Sequence, residues 1–261
     1  MNESETLCRI CRQRPASSFE HVPPKGAFND NPIRWFGLFD WLSRESNQRL
    51  VLGALRKKGA GALTLCERCN NNTGSWYAPE LISWTKAGVG ILQNLTPEQI
   101  ADRSPDKRGA HIVIHDVYPL RFIKQIIAMM LSIHNVAFST KHSELSEFVL
   151  DKTRRGLSPG YRFGLTLLRG PNARFFGHAT RLELYTGIAE QVAEIAYPPF
   201  SYWMYIDSEE KEIFTGDITN FVDYGYEEKT DFISSLEVGF SHSYVPLDFR
   251  SKAAIEKDSG K

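Results

Sequence analysis

The 261-residue sequence is poor in several things that would fix a class at once. It has no net charge, with 31 Lys and Arg against 31 Asp and Glu, so nothing global announces a polyanion partner. It has no apolar run fit for a bilayer: the longest, from Phe122 to Phe138, is broken by Lys124, Gln125, His134 and Asn135. A membrane partner is not expected. The first residues, Met1 to Glu5, are acidic and polar and lack the basic and apolar regions of a secretory signal, which predicts a cytoplasmic protein. No repeat period recurs, the only biased segment is the polar tail from Ser251 to Lys261, and Gly160, Gly164 and Gly170 fit no phosphate-loop spacing.

Cysteine is also scarce, yet all four cysteines fall into two C-x-x-C pairs, Cys8/Cys11 and Cys66/Cys69, with none left over. In a reducing compartment this pairing favours a metal over disulfides. Four thiolates close the tetrahedral shell of Zn2+, which makes the site structural, a clamp between segments 54 residues apart. Between the pairs stands Glu20-His21-Val22-Pro23-Pro24-Lys25, and Asn70 directly follows the last cysteine. An imidazole titrates near neutral pH and can take a proton from water, and carboxylate and amide oxygens suit a hard divalent cation. Charge is uneven as well: residues 1–75 carry 11 basic and 7 acidic side chains, residues 207–261 carry 6 and 13.

The chain reads as α+β in two units. After the first cysteine pair, Phe19 to Pro23 is strand-like. Asn31-Pro32 opens a predicted helical insert of one long or two shorter helices reaching Leu55, ending in the basic run Arg56-Lys57-Lys58 and Gly59. Ala62 to Leu65 reads as a strand entering Cys66, Glu67 to Gly74 as a helix or turn, and Thr96 to Gln99 as a short helix. The charged, turn-rich stretch 102–109 marks a boundary. A strand at His111 to His115 and helices from Pro119 and Ser143 follow. Strands are then read at 161–168, 173–184, 192–197 and 200–206, forming an antiparallel sheet. The units are thus residues 1–104 and 105–261.

The series C-x-x-C, E-H-V-x-P and L-x-L-C-x-x-C-N resembles the zinc-containing HNH family of ββα-metal endonucleases over residues 6–76. The resemblance implies a zinc-stapled ββα-metal core in 1–104. His21 would be the general base, and Glu20 and Asn70 the ligands of a catalytic Mg2+ or Mn2+, with Asn71 and Asn72 close enough to share that role. It implies hydrolysis of phosphodiester bonds, with double-stranded DNA as the expected partner and RNA as an alternative substrate. The layout is similar to bacterial restriction or anti-phage effectors. The family's middle asparagine, nine residues before Asn70, is here Gly61, which keeps only a backbone carbonyl for orienting the histidine. Lys25, Arg56, Lys57 and Lys58 are candidates for phosphate contact, or simply solvated cations. Residues 105–261 would serve recognition, regulation or self-association as a homodimer or with a partner protein. The competing class is a non-catalytic zinc module that binds nucleic acid or protein.

Overall fold

The computed structural model describes residues 7–37, 53–96, 109–182, 189–208 and 216–240, and it is mixed α+β. The N-terminal elements are short. Strands β1 (Ser18–His21) and β4 (Gly61–Leu65) pair antiparallel, with His21 opposite Gly61 and Glu20 opposite Ala62. Strands β2 (Ile33–Trp35) and β3 (Ala54–Arg56) form a second antiparallel pair. Helices α1 (Glu67–Trp76) and α2 (Ala78–Asn94) follow β4 directly.

The main sheet has six strands in the order β5-β10-β6-β9-β8-β7: β5 (Gly109–Val117), β6 (Arg162–Arg169), β7 (Arg174–Leu182), β8 (Ala189–Tyr197), β9 (Phe200–Ile206) and β10 (Thr230–Phe240). Between β5 and β6 run α3 (Pro119–Ile133), α4 (Val136–Lys141) and α5 (Ser143–Leu150). Helix α3 is buried along nearly its whole length, Lys124 and Gln125 included, as expected of a helix enclosed by other elements. It lies against α2, α5 and strands β7 and β8. Trp84 of α2 stacks on Phe122 of α3, 3.9 Å between ring centroids, and meets Phe200, Phe221 and Phe232 around its edge. One hydrophobic cluster therefore runs without a break from Cys8 and Leu65 through Trp84 to Leu236.

Two sequence expectations change here. The sheet is mixed, because β10 joins β6 in parallel, Val238 beside Leu167, while its N-terminal part pairs antiparallel with β5. The helical insert does not begin at Asn31-Pro32: Ile33–Trp35 and Ala54–Arg56 are strands, and the amide of Asn31 donates to Asp30 Oδ1 instead of capping a helix. Trp35 owes its strand conformation to a tertiary contact, stacking on Phe175 of β7 at 5.3 Å. Residues 38–52 of the insert, 97–99 of the predicted short helix and 102–108 of the boundary stretch lie outside the described residues. Among the described residues no helix is long and apolar enough to cross a membrane.

Candidate metal centre and the histidine beside it

The sulfur atoms of Cys8, Cys11, Cys66 and Cys69 all lie within 4.8 Å of one another, and none is in a disulfide. Cys11 Sγ and Cys66 Sγ are 3.8 Å apart. A zinc–sulfur bond of ~2.3 Å places tetrahedral ligands ~3.8 Å from each other, so the donor set fits Zn2+ in both chemistry and size. The first pair sits on a tight turn: Cys8 N–H donates to Arg14 O, Arg12 N–H donates to Cys8 O, and Arg12 takes a left-handed φ of 58°. Cys66 precedes α1 and Cys69 lies in its first turn. Without a cation Cys8 and Cys69 compete for one proton. Cys8 is pulled down to about 4, chiefly by the hydrogen bond from Cys69, while Cys69 is pushed up by that same bond and by burial. A bound cation removes this competition by deprotonating its thiol ligands outright.

The knuckle is anchored to the helical layer by its arginines. Arg9 Nη1 donates to Ser132 O at the end of α3, and Arg12 Nη1 donates to Ser139 O in α4. Arg9 N–H also donates to Thr64 O, so the knuckle adds to the β1–β4 pair. The N-terminal turn is thereby held from three sides.

His21 ends β1 and is half-buried. Its ring packs edge-on against Phe19 with centroids 4.9 Å apart, and the backbone of Lys58 lies close enough to favour its protonated form. Burial is the main influence on its pKa and lowers it; the Lys58 backbone acts upward, and the positive charges of Lys25 and Lys58 act downward. The ring is therefore neutral at pH 7 and sits among cations. Lys25, Arg56, Lys57 and Lys58 are all exposed, but Arg56 closes β3 and the two lysines form the turn after it, where the sequence predicts a helix end. The reason is the short β2–β3 ladder, which takes up Arg56 as the partner of Ile33.

Glu20 points to the opposite side of β1 from Phe19 and His21, as alternation requires. It is buried, and desolvation pushes its carboxyl up to about 8. It has no hydrogen bond or ion pair among the described residues, so a divalent cation would be the partner this acid lacks. Asn70, in α1, donates through Nδ2 to Ser18 Oγ (2.8 Å) and Phe19 O (3.0 Å), tying the helix to β1. Its Oδ1, the atom a hard cation would take, makes no hydrogen bond among the described residues. The β1–β4 pair and α1 thus bring Glu20, His21 and Asn70 onto adjoining segments, with Glu20 and His21 on opposite faces of β1.

Gly61 stands opposite His21, and a Cβ there would lie 2.1 Å from Glu20 O. An asparagine has no room at this point in the ladder. The structure instead uses Asn29, fully buried, which sequence reasoning passed over as part of a loop. Asn29 Nδ2 donates to Pro23 O (2.6 Å) and Ala60 O (2.8 Å), and Oδ1 accepts from Ala60 N–H (2.7 Å). The amide clamps the segment after His21 to the turn that carries Lys58. Gly59, at φ 82°, completes that turn, since a Cβ there would meet Asn29 at 2.5 Å. Asn29 followed by Asp30-Asn31-Pro32 looks like turn chemistry, and a partner 31 residues away leaves no local signal.

No protein-family model, no curated protein sequence and no solved structure matches the chain.

Proposed function

We propose that the protein is a metal-dependent endonuclease that hydrolyses phosphodiester bonds, with double-stranded DNA as its substrate. The observation that carries the reading is a neutral His21 next to a partnerless buried carboxylate, Glu20, on the strand that pairs with the one entering Cys66. His21 would accept a proton from water, for which a neutral imidazole among cations is suited. Glu20 and Asn70 Oδ1 would hold Mg2+ or Mn2+, which when bound supplies charge neutralisation at the phosphate. Lys25 and Lys58 would draw the phosphate backbone toward His21. Zinc on Cys8, Cys11, Cys66 and Cys69 would hold β1 and α1 in register without taking part in the chemistry.

The test is nicking of supercoiled plasmid with Mg2+ or Mn2+ by wild type, His21→Ala and Glu20→Gln. Loss of a general base costs about 10²- to 10⁴-fold in rate, and Glu20→Gln should abolish the cleavage that depends on the divalent ion. Equal cleavage by wild type and His21→Ala would remove His21 as base. Running single-stranded RNA and DNA beside the duplex decides the substrate.

A second reading, a non-catalytic zinc module, draws support from the burial that keeps Glu20 protonated at neutral pH and from the engagement of the Asn70 amide with Ser18 and Phe19. Salt-sensitive nucleic-acid binding without any divalent-ion-dependent cleavage would favour it.

A further inference from the structure

A cavity of about 260 Å³ opens where the N-terminal strands meet the main sheet, and its wall includes Val22 and Gly61, the neighbours of His21 in sequence and across the ladder. One side is aromatic: Trp35 of β2 lies flat on Phe175 of β7, with the rings 11° from parallel. Arg9 and Arg56 are among its lining residues, and none of the lining residues is an Asp or a Glu. Two further lining residues, Thr64 and Ser132, are each 3% exposed or less, and their hydroxyls have no hydrogen-bond partner among the described residues. Buried hydroxyls without partners are costly, and a pair of them in one wall marks a place where a polar ligand is received.

These features select the ligand. An aromatic wall takes a planar group, arginines without opposing carboxylates take an anion, and unpartnered hydroxyls take a group rich in donors and acceptors. The volume is below the ~300–1,000 Å³ of drug-sized ligand pockets, which suits one small unit and excludes an oligomer. A nucleotide combines all of these properties. We propose that this cavity receives a single unstacked nucleotide of the nucleic acid, with its base against Trp35 and Phe175 and its polar edge on Thr64 and Ser132. The proposal rests on the nuclease reading for its biological setting but not for its measurement. It predicts a preference for sites where a base is easily taken out of the stack, since extrusion costs least at mismatched, damaged or single-stranded positions.

Isothermal titration of the full zinc-loaded chain, carrying His21→Ala and with no added Mg2+ or Mn2+, against dAMP, dCMP, dGMP and TMP tests it directly. At least one of the four should bind saturably. Trp35→Ala should weaken that binding about 5- to 150-fold, the range for losing one base–aromatic stack. Thr64→Val, which keeps the shape and removes only the hydroxyl, should weaken it about 2- to 10-fold while leaving thermal stability equal or higher. The proposal falls if none of the four binds saturably, or if either folded variant binds as the parent does. Should Trp35→Ala fail to fold, Thr64→Val alone decides. Binding without any plasmid cleavage by the wild type would leave the cavity assigned and remove the nuclease reading; cleavage without nucleotide binding would do the reverse.

Discussion

Three residues bear on the state of His21, and none of them belongs to the candidate motif. Phe19 holds the ring by an edge contact, and the backbone of Lys58 favours its protonated form. Asn29 holds Lys58's turn, acting as a positioning residue. Each group that Asn29 satisfies is buried, and a buried group left unpaired costs ~1–3 kcal/mol, so Asn29→Ala should lose about 2–4 kcal/mol of stability after partial relaxation. Urea unfolding measures that loss. A purely structural clamp would do nothing more. If the clamp positions the Lys58 backbone, the variant also weakens the one contact that raises the His21 pKa, so the histidine titrates at still lower pH. The acid limb of the cleavage rate, or the His21 ring signal in an NMR titration, should move downward in Asn29→Ala and stay in place in a surface control such as Lys57→Ala. An unmoved His21 titration in a destabilised variant would reduce Asn29 to a staple.

At the level of elements, what was legible in the sequence follows the range of the physics behind it. The cysteine pairs were legible because C-x-x-C spacing is itself the geometry of a metal pincer, and the sulfurs do converge. Strands β6 to β9 were legible from apolar, β-branched and aromatic runs, and α3 from its proline start and apolar stripe. Strand β10 was not, because Ser234, Ser235 and Glu237 dilute its pattern and only pairing with both β5 and β6 makes it a central strand. Strands β2 and β3 were misread because Trp35, Phe36 and Leu55 sit at spacings a helix could also use, and a stack on Phe175, far along the chain, decides the matter. The end of α3 carries a further consequence. His134 caps it, donating through Nδ1 to Met130 O and stacking on Phe138 at 3.7 Å, and burial drives its pKa down to about 4. Because the folded-state value lies below the ordinary 6.5, the unfolded chain binds more protons between those limits. Stability from this residue is full above pH 6.5 and is lost as pH falls toward 4, by up to about 3 kcal/mol. Guanidinium unfolding at steps from pH 7 to 4 should show that slope, and His134→Gln should flatten it; a variant with an unchanged slope would assign the acid sensitivity to other groups.

Across the whole molecule, the four-cysteine knuckle and the six-stranded sheet share one core even though the sequence divides at 102–109. Trp84 is the hinge of that continuity, stacked on Phe122 and edged by Phe200, Phe221 and Phe232, while Arg9 and Arg12 tie the knuckle to α3 and α4. Metal binding to a site formed only in the folded state is folding free energy, so zinc should stabilise more than the knuckle alone. Heating the zinc-loaded protein while following far-UV circular dichroism and release of zinc to a chromogenic indicator should therefore give coincident midpoints, with about one zinc released per chain. Trp84→Ala removes a fully buried indole at a cost of about 3–5 kcal/mol. With a shared core, it should lower both midpoints together, although Trp84 is not itself a ligand. If zinc left well before the circular dichroism changed, and Trp84→Ala moved only one of the two transitions, residues 1–104 and 105–261 would be thermodynamically separate units that merely touch.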